Sequence, residues 1–392
     1  MVTAYLLSVP VDADRALVAL ALPPGEEFAA ALDAAWRDGS AVLPLDPHAP
    51  AAEQGRVLAA MRPDLGVEDD VALVIATSGS TGTPKGAELS HDALAASARA
   101  TMARIGRRDD DVWLACLPWH HIGGLQVLLR TRMFDAPLVV HERFDVARVA
   151  AERDATLVSL VPTQLARLLE AGVDLGRFRA ILLGGAAAPP SLLARAAAAG
   201  AHVVTTYGMS ETCGGCVYDG RPLDGVEVRV DSDGRVLLRG PVMMSRYRLR
   251  PDLTDDALTD GWFRTSDLGT VDADGRLIVH GRVDDVVITG GENVNTTDVA
   301  ARLAAHPLVS DVAVTGVADD EWGQRLVAVV VPHDGVPELD DLRAWCREEL
   351  RAAALPRGLL VVDEIPRLPS GKPDRLAVQE LAVYAQPSAA AD

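Results

Sequence analysis

The chain of 392 residues exceeds one ordinary domain and predicts two or three of about 150 residues each. Hydrophobic residues at 49% and charged residues at 24% exclude wholesale disorder, and aromatics at 4% leave the core to Ala, Val and Leu. With 37 basic residues against 56 acidic ones, the formal charge of −19 excludes broad nucleic-acid binding, which needs a basic face.

In chain order, Val71 to Ala76, Val112 to Leu117, Leu157 to Val161, Ala180 to Leu183 and Val203 to Thr206 are apolar runs of buried-strand length. The Ala-rich stretches Leu94 to Met102 and Leu192 to Ala199 predict helices between them. This alternation predicts an α/β fold with a mainly parallel sheet covered on both faces. The runs end in Gly, Ser, Thr, Pro or His, and ligands bind beyond the carboxyl ends of such strands, so these loops are expected to form one crevice. After Gly220, Asp233-Gly234 and Asp274-Gly275 predict hairpin turns, flanked by Arg235 to Leu238 and Arg276 to His280. A smaller α+β unit follows, with strands near Ala313 to Val317 and Leu326 to Val331 and a helix near Leu342 to Leu350. The expected boundary is Gly281 to Asp285. It divides a large N-terminal domain, 1–283, with mainly parallel sheets and a β-rich subdomain, from a small C-terminal domain, 284–392. The tail from Ala385 is expected to fray.

No apolar run approaches the ~18 residues that span a bilayer, so membrane insertion is not expected. The opening patch Ala4 to Val11 lacks a basic leader and meets Asp12 and Asp14, so no secretory signal is expected. Four cysteines in this length are no disulfide framework, and a reduced, cytoplasmic protein is expected.

Only two of the 37 basic residues are lysine, Lys85 and Lys372, and both sit beside glycines. A lysine offers a slim, mobile point charge that enters a tight phosphate or carboxylate site, which marks both as functional candidates. Thr77-Ser78-Gly79-Ser80-Thr81-Gly82-Thr83-Pro84-Lys85-Gly86 follows a strand, and its glycines expose backbone amides among five hydroxyls and one ammonium. That combination suits triphosphate oxygens. The Walker A pattern fails, because Pro84 precedes Lys85 and Gly86 follows it.

This segment resembles the phosphate loop of the adenylate-forming superfamily of acyl-CoA synthetases, peptide-synthetase adenylation domains and luciferases. Other signatures of that superfamily occur in its order. Thr206-Tyr207-Gly208-Met209-Ser210-Glu211-Thr212 resembles the adenine and magnesium motif, and Thr265-Ser266-Asp267-Leu268-Gly269 the ribose motif. Gly281-Arg282-Val283-Asp284-Asp285 resembles the hinge, and Pro369-Ser370-Gly371-Lys372 the catalytic-lysine loop, here 369–375. The resemblance implies ATP, Mg2+ and coenzyme A as cofactor and co-substrates. It implies nucleotide contacts from Thr77 to Thr83, Lys85, Gly184, Gly185, Tyr207, Gly208, Met209, Thr212, Asp267 and Arg282, with Glu211 as the magnesium ligand. It implies a mobile lid that turns about Asp284. In one orientation Lys372 bridges carboxylate and α-phosphate; in the other, Gly290, Gly291, Glu292 and Asn293 line a pantetheine channel.

For the acid, Pro118-Trp119-His120-His121-Ile122-Gly123-Gly124 through Arg130 resembles the acyl-pocket motif, closest in wording to the compact actinobacterial o-succinylbenzoate–CoA ligases of menaquinone biosynthesis. Thr206 to Gly220 and Val158 to Gln164 also look like that family. The implied substrate has two carboxylates. Arg130 is the candidate partner of the one not activated, with Ser159 an accessory donor, and His121 and Gly208 line the pocket. Activation of another acid for a carrier protein, and a silent nucleotide-binding scaffold, are the competing readings. His120-His121 and Cys213-x-x-Cys216 lack the second ligand pair of a structural zinc site. The phosphate loop begins early, at Thr77, as in the compact ligases. Thr296-Thr297-Asp298 replaces the commoner Pro-x-Glu and is expected to alter only a helix cap. The resemblance allows a homodimer.

Overall fold

The structure is a computed structural model and describes residues 15–77, 84–367 and 373–387. The chain divides into two compact units. The first holds the chain up to Arg229 with Leu237–Arg264 and Asp272–Leu277; the second holds Val230–Val236, Thr265–Val271 and the chain from Ile278. The expected boundary at 283/284 falls on a turn, whereas compactness assigns all but the first residue of the preceding strand, Leu277–Arg282, and two short stretches further back to the second unit.

The first unit contains two sheets. In one, β1 (Leu17–Leu20), β2 (Ala41–Pro44), β3 (Val71–Thr77) and β4 (Lys85–Ser90) are neighbours in that order, followed by the short strand Arg246–Tyr247. β1, β2 and β3 run parallel, but β3 and β4 form an antiparallel hairpin with Thr77 opposite Lys85. The residues flanking the glycine-rich segment are therefore paired across antiparallel strands, where the sequence predicted a strand followed by a helix. The helices α1 (Glu26–Arg37) and α2 (Ala51–Met61) connect the first three strands. Leu17, Ala19, Leu43, Val71 and Val74 pack with Met61 in the core of this layer.

After helix α3 (His91–Ile105) comes the second sheet: β5 (Trp113–Ala115), β6 (Leu138–Val140), β7 (Leu157–Leu160), β8 (Ala180–Leu183), β9 (Val203–Met209), β10 (Gly214–Tyr218) and β11 (Arg221–Pro222), in the order β11-β10-β9-β8-β7-β5-β6. From β6 to β9 every pairing is parallel; β10 and β11 turn back antiparallel. Every residue of β7 and β8 is buried, as parallel strands covered on both faces require. Leu160, Ile181 and Leu183 pack against Leu165, Leu168, Leu192 and Ala196 of the following helices, each such side chain contributing about 1.5–3 kcal/mol when fully buried. Ser90 caps α3, accepting from the Ala93 amide at 3.1 Å, and α4 (Ile122–Phe134) begins at the carboxyl side of β5.

The second unit carries the antiparallel pair Val286–Thr289 and Glu292–Asn295, and a sheet of Val309–Asp319, Gly323–Pro332, Gly358–Val361 and Gln386–Pro387. The two long strands contain the predicted ones, and the helix is Leu339–Arg347, ending before the expected Leu350. The tail does not fray at Ala385, because Gln386 and Pro387 pair antiparallel with Leu359 and Gly358. No helix among the described residues is long and apolar enough to cross a membrane.

Candidate active site

In the first unit, Lys85 opens β4 and meets Glu211, which lies in the 3-10 turn Ser210–Thr212 that follows β9. Lys85 Nζ stands 3.5 Å from Glu211 Oε1. The Tyr247 hydroxyl joins both: it accepts from Lys85 Nζ at 3.0 Å and donates to Glu211 Oε1 at 2.7 Å. Glu211 is 6% exposed, and its second oxygen, Oε2, takes no hydrogen bond among the described residues. A buried carboxylate with one oxygen held and one left over suits a hard divalent cation such as magnesium. Thr77 closes the hairpin, its hydroxyl donating to the Lys85 carbonyl at 3.3 Å. Ser78, Gly79, Ser80, Thr81, Gly82 and Thr83 lie outside the described residues.

The adenine motif extends β9 past its parallel partner. Thr205 is the last residue opposite β8, and beyond it Tyr207, Gly208 and Met209 pair antiparallel with Val217, Gly215 and Gly214. A side chain at Gly208 would collide with the Gly214 carbonyl, so only glycine permits this close approach. Gly184 and Gly185 follow β8; a Cβ at Gly184 would strike the Thr206 hydroxyl, itself donating to the Leu183 carbonyl at 3.2 Å. Thr212 is buried, and its hydroxyl accepts from the Met209 amide at 2.9 Å and donates to the Gly214 carbonyl at 2.6 Å, closing the turn that follows β9.

In the acid region, His121 immediately precedes α4, and its carbonyl accepts from the Gly124 and Leu125 amides at 3.1 and 3.0 Å. Its ring lies 4.3 Å from that of His120, whose pKa burial pushes down. Ser159 is buried on β7. Gln126, which the sequence did not single out, is fully buried and donates to the Cys213 carbonyl at 3.1 Å, tying α4 to the Glu211 turn. Arg130 is 3% exposed, with its guanidinium 5.6 Å from the Trp113 ring centre. Its Nε has no hydrogen-bond partner, and no carboxylate among the described residues pairs with it. Burial pushes its pKa down, opposed only by Tyr218. A buried cation left without a counter-charge is costly, and an anion supplied to it would offset that cost.

The second unit holds Asp267, buried on the strand Trp262–Val271, with Arg282 NH1 3.9 Å from its Oδ1. Asp267 is seated by its amide, which donates to the Thr265 hydroxyl at 3.0 Å. Asp284 lies in the 3-10 turn Val283–Asp285, where the Asp285 carboxylate accepts from the Arg282 amide at 3.1 Å and pairs with Arg375. Gly290 and Gly291, both at positive φ (58° and 80°), form a two-residue turn between paired strands, since Thr289 lies opposite Glu292. Glu292 and Asn293 thus belong to a strand rather than to the loop, and Glu292 pairs with Arg351 at 2.9 Å. The helix cap is neither Thr297 nor Asp298: the Asn295 side chain accepts from the Thr297 amide at 2.9 Å. Lys372 lies outside the described residues.

These motifs match known proteins. Residues 59–248 match the family described as AMP-binding enzyme, and residues 298–372 match the AMP-binding enzyme C-terminal domain. A probable 2-succinylbenzoate–CoA ligase of Mycobacterium tuberculosis is 43% identical over 339 residues, covering 82% of this chain and 87% of that protein. The chain belongs to the AMP-binding enzyme family. The family assignment extends to the fold: o-succinylbenzoate CoA synthetase from Bacillus subtilis, solved with its acyl-adenylate intermediate, superposes with a TM-score of 0.86 at 28% identity, covering 97% of this chain and 90% of that one. The same enzyme with ATP and magnesium gives a TM-score of 0.85 at 27% identity, covering 95% and 90%. Within the family the chain is a ligase of mixed α/β architecture, with a large N-terminal and a small C-terminal part, as the motifs led one to expect.

Tyr247 was missed by sequence reading. It sits on a strand of two residues, too short for any periodicity, and its only signal is flanking by Arg246 and Arg248.

Proposed function

We propose that this chain is an ATP- and magnesium-dependent o-succinylbenzoate–CoA ligase that works through an acyl-adenylate. In the first half-reaction an oxygen of the substrate's succinyl carboxylate attacks the α-phosphorus of ATP and pyrophosphate leaves. In the second, the coenzyme A sulfur attacks the acyl carbon, the thiol proton is lost and AMP leaves. Thr77 to Thr83 and Lys85 take the triphosphate, Gly184, Gly185, Tyr207, Gly208 and Met209 the adenine and its surroundings, and Asp267 with Arg282 the ribose. Glu211 would hold magnesium through Oε2. Bound there, the metal supplies positive charge against the phosphate oxygens. Lys372 places its ammonium where charge accumulates at phosphorus. The turn at Asp284 carries the lid between its two orientations, in the second of which Gly290, Gly291 and Glu292 line the thiol's path.

The single observation that carries the choice of acid is Arg130. It lies eight positions after Ile122 (130 − 122), about 12 Å along the helix, and its charge is buried and unpaired among the described residues. A monocarboxylic acid activated beside His121 would leave that charge uncompensated. A diacid places its second carboxylate there, with Ser159 as a further donor. The relatives carrying the 2-succinylbenzoate–CoA ligase name support the same acid. The test is thioester formation on free coenzyme A across o-succinylbenzoate, aryl monoacids and fatty acids. Preference for the diacid by at least about 100-fold in kcat/KM is expected, the worth of one buried charge pair; a flat profile removes the assignment. Adenylate formation without transfer to free coenzyme A would instead mark a carrier-protein loader. A cytoplasmic setting is supported by four free, buried cysteines, and a homodimer is a further reading that the molar mass in solution tests.

A further inference from the structure

The hydroxyl between Lys85 and Glu211 has a role of its own. Tyr247 stands opposite Ala87 in the antiparallel pairing, which makes Lys85, two residues along β4, its diagonal neighbour on the same face. Lys85 Nζ also lies 4.5 Å from the centre of the Tyr247 ring. The segment is pinned on both sides. The Met244 amide donates to the Glu211 carbonyl at 2.7 Å, and the Tyr247 amide donates to the Thr254 hydroxyl at 2.9 Å. Next to it, Arg248 is 2% exposed and donates to the carbonyls of Met61, Arg62, Leu65 and Gly66 and to Glu88 Oε1. The phenol is thus held in place by neighbours that do not themselves touch Glu211's carboxylate.

We propose that Tyr247 is a positioning residue that holds the Lys85–Glu211 ion pair loose, at 3.5 Å and short of direct hydrogen bonding, and so keeps each partner available to one part of magnesium–ATP. Its hydroxyl occupies Glu211 Oε1, which directs Oε2 to the metal. It also accepts from Lys85, holding the ammonium until phosphate oxygens replace the phenol. Without the hydroxyl, the ammonium and the carboxylate, 3.5 Å apart, are free to close to hydrogen-bonding distance. A closed pair on a carboxylate this buried would withhold the metal ligand and the phosphate cation together. The inference rests on the adenylation reading and not on which acid is activated.

The test is calorimetric titration of the whole protein with no acid present, so the acid assignment can fail without touching it, and the reverse. Tyr247→Phe keeps the ring and removes the hydroxyl. It should raise the Kd for magnesium–ATP about tenfold, the size expected when a group orienting a metal ligand is lost, while AMP, which needs neither metal nor Lys85, shifts by less than about twofold. In a Glu211→Gln background the same change should add less than about twofold. An unchanged Kd for magnesium–ATP overturns the proposal. So does equal weakening of AMP, which would make the hydroxyl a general support of the fold, and so does a full additional tenfold loss in the Glu211→Gln background.

Discussion

Lys85 and Arg130 are both cations of the first unit, and the protein treats them in opposite ways. Lys85 is 30% exposed and has its counter-charge from the chain itself, through Glu211 and the Tyr247 hydroxyl. Arg130 is 3% exposed and has no carboxylate partner among the described residues. A cation compensated internally can exchange partners at little cost when phosphate arrives. A cation left buried and bare binds its anion strongly but destabilises the empty enzyme. Under the proposed function, the difference would separate a site for a shared co-substrate from a site that selects one.

Three substitutions and one labelling experiment probe these charges and the buried thiols. Lys372→Ala, the other lysine, should lower adenylate formation by about 10³-fold, yet leave thioester formation from supplied acyl-adenylate within a few fold; equal loss in both half-reactions, measured separately, would contradict the division of labour. Arg130→Met should lower kcat/KM for the diacid by about 100-fold while leaving thermal stability unchanged or raised, because an uncompensated buried charge has been replaced by an apolar side chain. A stability loss with activity intact would make Arg130 structural. Arg248→Met is the control with a partnered cation. It leaves Glu88, whose pKa burial already pushes up, with only the longer 3.7 Å pairing to Arg246, and should cost about 3 kcal/mol in denaturant unfolding. The smallest effect concerns thiols: burial pushes Cys116 and Cys216 up to about 12 and Cys213 still higher, so native enzyme at pH 8 should resist alkylation and lose no activity. Mass-detected labelling of the folded protein at Cys216 would contradict that.

Much of the molecule was legible from local pattern. Strands such as Ala180–Leu183 and helices such as Pro190–Ala198 follow from apolar runs and Ala-rich stretches, because period and length are properties of neighbouring residues. The two lysines stood out from composition alone, since arginine had replaced lysine everywhere else. The hairpin that turns β4 back on β3 was not legible, because a glycine-rich loop carries no record of the strand it returns to. Nor was the Thr212 hydroxyl, whose use in closing a turn depends on where the Gly214 carbonyl arrives.

The sequence by itself determined the family chemistry: an ordered set of loops bearing hydroxyls, amides, carboxylates and two lysines, each readable because its residues are adjacent in the chain. Only the tertiary structure decided which charges are paired. Tyr247 lies 36 positions from Glu211 and 162 from Lys85, and it is strand pairing that sets it beside both. Whether a charge is buried and bare or buried and balanced depends on partners brought from elsewhere in the chain.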